Sequence, residues 1–294
     1  MTRRHTLLAL VVVLLWGFNF VAIDLGQADV PPLVFLALRF VVVIIPAIFF
    51  IPPPAIGWRN IVMIGLFLSF AQFALLYIAI DLGMPAGLAS LLLQTQVILT
   101  VLVSAIVVRE RPTRRQLLGI VIGMVGLAIV VVGHGATAPW LPIVVTLTAA
   151  LSWSIGNVLS RRAKAASGLS LVVWSALVVP VPSLALALVL DGPDTVVTAI
   201  TNLSLVAIAS TLYTAIGASL IGYTIWNSLL ARYPTSAVAP FTLLVPVIGI
   251  LTAWLVLDES PSLTELAGGA VMLGGLAVAV ITRWSFGPPT SRAK

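Results

Sequence analysis

The chain has 294 residues, 61% of them hydrophobic and only 8% charged, with a mean hydropathy of +1.19 and a formal net charge of +6. A soluble globular domain carries about 25% charged residues, so this chain cannot cover a water-facing surface, and its solvent must be the lipid bilayer. A soluble domain of any size is excluded, and the basic balance reads as orientation in a membrane, not as affinity for nucleic acid.

In lipid only helices and closed barrels satisfy the backbone. The apolar runs are continuous and close to ~20 residues long, unlike the alternating pattern of barrel strands, so helices are expected. In chain order they fall at Leu7–Ile23, Leu33–Ile51, Ile61–Ile80, Pro85–Val108, Leu117–Val132, Trp140–Leu159, Leu169–Leu190, Leu203–Leu230, Thr235–Leu257 and Leu263–Ile281. The expectation is an all-α polytopic membrane protein with ten transmembrane helices. Pro31-Pro32, Pro52-Pro53-Pro54, Gly133-His134-Gly135 and Asp191-Gly192-Pro193-Asp194 punctuate the connections. The start, Thr2-Arg3-Arg4-His5 and then a Leu/Val run, imitates a signal peptide. The run continues apolar through Gly17-Phe18-Asn19-Phe20 with no small-x-small cleavage site before Asp24, so it reads as an uncleaved first helix. There are no cysteines, hence no disulfide framework and no Cys-based metal site.

The sequence repeats itself. Shifted by 149 positions, Pro85–Ala128 falls on Pro234–Ala277 with 10 identities in 44 positions and no gap. Pro85 meets Pro234, Glu110 meets Glu259, Pro112 meets Pro261, Gly119 meets Gly268 and Gly126 meets Gly275. Shared Pro, Glu-x-Pro and Gly spacing is harder to obtain by chance than shared Leu and Val. Two repeats of five helices follow, over residues 7–132 and 140–281. With the N-terminus in the cytoplasm, 14 of the 15 basic residues fall inside and none outside. The fifteenth, Arg39, lies within a helix. This bias supports the helix count and places both termini in the cytoplasm. Five is odd, so the repeats lie in opposite orientations, the inverted architecture of many transporters.

A path for a polar solute needs polar groups at membrane depth. The first helix offers Trp16 and Asn19, the third Ser69, Gln72 and Tyr77, and the fourth Ser90, Gln94, Thr95 and Gln96. Their counterparts offer Trp153, Ser154 and Asn157, then Tyr213, Tyr223, Trp226 and Asn227, and finally Thr242. We expect a midplane cavity lined by Trp16, Asn19, Gln72, Tyr77, Gln94, Trp153, Asn157, Tyr223 and Trp226. The bland alternative is that the amides bond across helices and the aromatics sit at the interface. Gln94 and Gln96 point about 200° apart on a regular helix, so the two are not expected to face one path. Pro85, Pro240 and Pro246 are hinge candidates. Pro85 opens a helix at little cost, whereas carbonyls freed near Pro240 and Pro246 would face either a cavity or a static kink. Arg39 stands roughly 9 Å into its helix. It either snorkels or pairs with Asp24 or Asp29 as a structural group, or it meets a substrate carboxylate.

Asp24, Asp81, Glu110 and Glu259 all fall near helix ends, so a proton relay through buried carboxylates is not expected, and facilitated transport or exchange is. The motifs H-E-x-x-H, G-x-S-x-G and G-x-x-x-x-G-K are absent, and no His or Asp lies within a span to assist a nucleophile. The chain therefore reads as no enzyme and no ATP-driven pump, with no metal and no cofactor. A non-transporting structural membrane protein remains the alternative from another class. The oligomeric state is not set by the sequence.

Trp16-Gly17-Phe18-Asn19-Phe20, Leu38-Arg39-Phe40, Ser69-Phe70-Ala71-Gln72-Phe73, Gly83-Met84-Pro85-Ala86-Gly87-Leu88-Ala89-Ser90, Glu110-Arg111, Leu243-Leu244-Val245-Pro246-Val247 and Asp258-Glu259 resemble the EamA family of the drug/metabolite transporter superfamily. The likeness runs from about Leu7 to Ile281. The S-F-A-Q-F and G-M-P-A-G-L-A-S pair is most similar to the cysteine and O-acetylserine exporters of that family. The resemblance implies an inner-membrane exporter of small amino-acid-type metabolites, with other amino acids or amphipathic drugs as alternative substrates. The second half lacks the W-G-x-N spacing at Trp153 and has nothing matching Arg39.

Overall fold

The computed structural model describes residues 1–109, 111–133, 140–164, 167–233 and 235–280. Glu110, His134, Pro234 and Ile281, which the sequence argument used, lie outside the described residues. Among the described residues every regular element is helical. The main helices are α1 (Arg3–Gln27), α2 (Pro32–Ala47), α3 (Trp58–Asp81), α4 (Ala86–Val107), α5 (Arg114–Gly133), α6 (Trp140–Ala163), α7 (Gly168–Leu190), α8 (Leu205–Arg232), α9 (Ala239–Leu257) and α10 (Leu263–Ala279). Eight of these are long and apolar enough to cross a membrane, while α2 and α10 are shorter apolar helices. The turn residues Asp191-Gly192-Pro193-Asp194 lead into one element that the hydropathy reading passed over, a surface helix at Pro193–Thr201 with Val196 and Ala199 buried. Its nine residues rise only about 14 Å, too short to span.

Local chemistry explains where the helices start. Thr2 caps α1 by accepting from the His5 amide, and Ser204 caps α8 by accepting from the Ala207 amide. Reciprocal capping boxes open α5 and α10. The Thr113 amide donates to Gln116 Oε1 at 2.8 Å and the Gln116 amide to Thr113 Oγ1 at 3.3 Å. The Ser262 amide donates to Glu265 Oε2 at 2.8 Å and the Glu265 amide to Ser262 Oγ at 3.2 Å. The two boxes are 149 positions apart.

Other irregularities recur at the same offset. Helix α3 widens into a π-helical stretch at Gly65–Ala71, which shifts onto Thr214–Leu220, inside the π-helical stretch Tyr213–Ile221 of α8. Helix α4 is interrupted at Gln94, which shifts onto Leu243, inside the 3₁₀ segment Ala239–Leu244 that opens α9. Each departure frees backbone groups, and neighbouring side chains take them up. Ser152 Oγ on α6 donates to the Phe67 carbonyl at 2.8 Å, and Trp16 Nε1 on α1 donates to the Ala218 carbonyl at 3.0 Å.

The tightest seam joins α5 to α10. A Cβ added to Gly119 would stand 2.6 Å from the Gly275 carbonyl oxygen, and one added to Gly126 would stand 2.6 Å from the Gly268 carbonyl oxygen. The contacts are reciprocal, with numbers rising on one helix as they fall on the other, so α5 and α10 pack antiparallel. Small residues let the backbones meet, and that packing is what lipid cannot supply. At Gly126 the blocking atoms are backbone, so relief requires the helices to part. We therefore expect Gly126→Ala to cost about 1–3 kcal/mol through overpacking, seen as a clearly lowered melting temperature of the detergent-solubilised protein. Gly274→Ala, where nothing lies within 4 Å of the added Cβ, is expected to be neutral or to stabilise slightly.

Candidate functional site

A cavity of about 270 Å³ lies between the helices. Helices α1 to α4 and α6 to α9 line it, and α5 and α10 contribute nothing to its wall. The seam thus lies apart from the cavity. Of the candidates from sequence, Trp16, Asn19, Gln72, Gln94, Trp153, Asn157, Tyr223 and Trp226 come together on this wall. Tyr77 does not. It is fully buried behind the wall, where its hydroxyl accepts from Arg39.

Gln94 and Gln96 both line the cavity, against expectation. The reason is the interruption of α4. The Gln94 amide donates to the Leu91 carbonyl and the Val97 amide to the Gln94 carbonyl, both three-residue steps. This tighter winding of roughly 3.0 residues per turn brings the two side chains to about 120° of each other. Gln96 Oε1 accepts from Asn157 Nδ2 at 3.1 Å. Gln94 Nε2 donates to the Thr242 carbonyl at 2.9 Å. That carbonyl lies four residues before Pro246, whose missing N–H rules out the α-helical bond; it accepts from the Val245 amide in a 3₁₀ step and from Gln94 as well. The two interrupted helices are therefore braced against each other at their breaks. Pro246 is the second residue of the α-helical part of α9 and Pro240 the second of its 3₁₀ part. Pro85 stands before α4 in an extended conformation and sets its start. The first peptides of α4 are capped by Glu259, whose carboxylate accepts from the amides of Ala86 at 2.8 Å and Gly87 at 3.0 Å.

Among the described residues Arg39 is the only charged one in the wall, and it is 2% exposed. It neither snorkels nor pairs with Asp24 or Asp29. Nη1 donates to the Tyr77 hydroxyl at 2.8 Å, and Nη2 donates to Ser219 Oγ at 3.0 Å. Ser219 passes its own hydrogen to the Thr214 carbonyl within the π-helical stretch of α8. The guanidinium carbon lies 4.3 Å from the centre of the Phe73 ring, a cation–π distance. Hydroxyls and a ring face hold the charge without neutralising it. The sequence reasoning missed Ser175 and Ser219, because a lone Ser in an apolar helix carries no mark that separates a wall residue from one bonded to its own helix. It also missed that α2 and α7 reach the wall.

The sequence of the EamA-like transporter family matches residues 4–132 and again 140–281. The chain belongs to this family. It is 40% identical over 291 residues to a probable amino-acid metabolite efflux pump of Escherichia coli strain K12, covering 97% of both chains. It is 41% identical over 286 residues to a protein of the same description from Salmonella typhimurium strain LT2, covering 95% of this chain and 96% of that one. A protein of known crystal structure shares the fold, with a TM-score of 0.63, 24% identity, and coverage of 95% of this chain and 97% of the other. The chain is a multi-pass membrane transporter and not an enzyme, and its substrate is a small molecule.

Tyr77→Phe is expected to leave an N–H of Arg39 buried and unpaired, lowering stability by about 1–3 kcal/mol. In the Arg39→Met background the same change should cost much less. Melting curves of the two single variants and the double variant test this, and additive losses would show that the pair is not coupled.

Proposed function

We propose that the chain exports small amino-acid-type metabolites, with cysteine and O-acetylserine as the leading substrates, by alternating access between two five-helix halves. The halves span residues 7–132 and 140–281 and lie in opposite orientations in the bacterial cytoplasmic (inner) membrane, with both termini cytoplasmic. The observation that carries the substrate class is the cavity. Its volume of about 270 Å³, roughly nine waters at about 30 Å³ each, admits a small amino acid with room left over. Its wall of neutral amides, hydroxyls and aromatic rings with one guanidinium suits a zwitterion, and the E. coli and Salmonella relatives described as probable amino-acid metabolite efflux pumps support the same class.

Support for inverted halves comes from the recurrence at 149 positions of the capping boxes, the π-helical stretches and the helix interruptions, together with the antiparallel packing of α5 on its repeat mate α10. Helices interrupted near a central site are a feature of such transporters. Trp16, Asn19, Gln72, Gln94, Trp153, Asn157, Tyr223 and Trp226 form the substrate path in this reading. Tyr77 supports Arg39 from behind, and the breaks near Pro240 and Pro246 absorb the movement. Among the described residues no carboxylate lines the cavity, which favours exchange or facilitated export over a proton relay. The clustered rings of Trp16, Tyr223 and Trp226 favour amphipathic cationic drugs as the second substrate reading.

Counterflow in proteoliposomes tests the proposal. Vesicles loaded with unlabelled cysteine or O-acetylserine and offered labelled substrate, with no pH gradient, are expected to accumulate label that a quaternary ammonium drug does not displace. Displacement by the drug moves the reading to a multidrug exporter. Orientation is tested on the cysteine-free chain by single cysteines at two exposed sites. An impermeant maleimide applied to intact cells should label Thr195→Cys and spare Ala55→Cys until the membrane is opened.

A further inference from the structure

The two ends of α4 are packed differently. All eight residues of Ala86–Leu93 are buried, while among the described residues of Thr95–Val107, thirteen in all, only Thr95, Ile98 and Ser104 are. Helix α9 divides in the same way. Among its described residues none of Ala239–Leu244 is buried, whereas Val245–Leu257 buries Val245, Pro246, Gly249 and Ala253. In the orientation proposed above α4 begins and α9 ends at the outer face, so the tightly packed parts of both are the outer ones.

These outer parts meet each other. A Cβ added to Gly87 would stand 3.2 Å from Ile250 Cα and 3.4 Å from Ala253 Cβ, and one added to Gly249 would stand 2.5 Å from Ser90 Oγ. Glycine on each helix lets the backbones approach. Glu259, two residues beyond the end of α9, completes the joint. Its Oε1 accepts from the Ala86 amide at 2.8 Å and its Oε2 from the Gly87 amide at 3.0 Å. A helix start leaves such amides free, and a carboxylate satisfies them with charge as well as hydrogen bonds. On the inner side of the Gln94–Thr242 crossing the helices have other company. Thr100 Oγ1 donates to the Gln96 carbonyl of its own helix at 2.6 Å, and Thr100 and Ala239 are both half-buried. The cavity wall follows suit. Toward the outer face Phe20, Leu76 and Ser90 are buried, and toward the inner face Gln96, Asn157 and Trp226 are half-buried.

We infer that this conformation is the one open to the cytoplasm, and that Glu259 is the latch holding the outer ends of α4 and α9 shut. The inference rests on the alternating-access reading and names the contact that must break. The latch ties the end of one half of the chain to the start of a helix in the other, so it cannot persist while those ends part. The 149-residue offset also names the contact that replaces it. Ser90 shifts onto Ala239, and Gly249 shifts back onto Thr100. If the halves exchange roles, the Ser90–Gly249 contact gives way to one between Thr100 and Ala239 at the inner ends of the same two helices. The crossing of Gln94 and Thr242 then serves as the pivot between the two closures.

Disulfide trapping tests this in proteoliposomes of the full chain, which has no cysteine of its own. Gly87→Cys with Ala253→Cys sets two Cβ atoms 3.4 Å apart, close to disulfide spacing. Oxidation is expected to link this outer pair and stop exchange of labelled O-acetylserine, and reduction to restore it. Thr100→Cys with Ala239→Cys is expected to link when the opposite state is visited, and to stop exchange as well. Linking is read as loss of maleimide labelling. Glu259→Gln keeps the shape of the side chain but offers one acceptor oxygen and no charge. It should speed linking of the inner pair relative to the outer pair by at least about threefold. A cap with a purely structural role would leave that ratio unchanged. An unchanged ratio, exchange that persists in fully linked outer-pair protein, or an inner pair that never links in protein that exchanges overturns the latch and leaves the exporter reading standing. Should Gly87→Cys fail to fold, the linking rate of the inner pair with and without Glu259→Gln decides. Reversed labelling of Thr195→Cys and Ala55→Cys overturns the cytoplasmic opening. Folded wild-type protein that exchanges no amino acid overturns the substrate reading, while linking, which needs no substrate, still decides the latch.

Discussion

The constraint on which everything else depends is the lack of water at membrane depth. A backbone N–H or carbonyl in lipid must find its partner within the protein. Regular helix meets that demand by itself, and most of the chain is regular helix. Where it is not, a side chain from another helix stands at the break. Ser152 reaches the Phe67 carbonyl in the π-helical stretch of α3, Trp16 reaches Ala218 in that of α8, and Gln94 reaches Thr242 at the start of α9. Ser69, Trp16, Gln94 and Thr242 also line the cavity. Irregular backbone and polar wall are therefore one construction: the groups that make a polar path tolerable in lipid also make the broken helices tolerable.

That coupling explains what the sequence made legible. Continuous apolar runs show how the chain meets lipid, so the helices could be placed to within a few residues. Shared Gly and Pro spacing revealed the 149-residue repeat, because those residue types answer to backbone geometry and survive where Leu and Val interchange freely. Polar residues inside apolar runs gave most of the wall, since a buried amide or indole is costly unless something uses it. The failures have equally physical causes. Placing Gln94 and Gln96 on opposite faces assumed uniform winding, and a local 3₁₀ turn leaves no mark in hydropathy. Tyr77 was counted as wall because it is a polar group at membrane depth, and residue type does not say which side chains turn inward. The surface helix Pro193–Thr201 was hidden by its own turn residues. Arg39 was expected to snorkel, to pair with Asp24 or Asp29, or to meet a substrate carboxylate. Its actual partners are Phe73 and Tyr77, which share one face of α3, and Ser219 of α8, and nothing in the sequence ties those positions to Arg39.

The α5–α10 seam and the cavity divide the labour of the fold. The seam is close-packed through backbone atoms and contributes nothing to the wall, whereas α4 and α9 are each interrupted and meet at their interruptions. Rigidity thus sits at the periphery and compliance at the centre. Interiors packed to crystal density switch between discrete arrangements instead of deforming smoothly, and the broken pair is where such a switch has the fewest backbone bonds to rearrange.

The anchoring of Arg39 also has an electrical consequence. Tyr77, Ser219 and Phe73 fix the guanidinium to helices of the protein itself, so its charge stays with the carrier and is not carried across with cargo. In the proposed exchange or facilitated export, the charge moved per cycle is then that of the cargo alone. A zwitterion carries none, and its passage is indifferent to the membrane voltage. A cargo with one net negative charge would instead be driven outward by an inside-negative potential with about 2.3 kcal/mol per 100 mV. A carrier built around one fixed cation can in this way serve neutral metabolites without discharging the membrane that holds it.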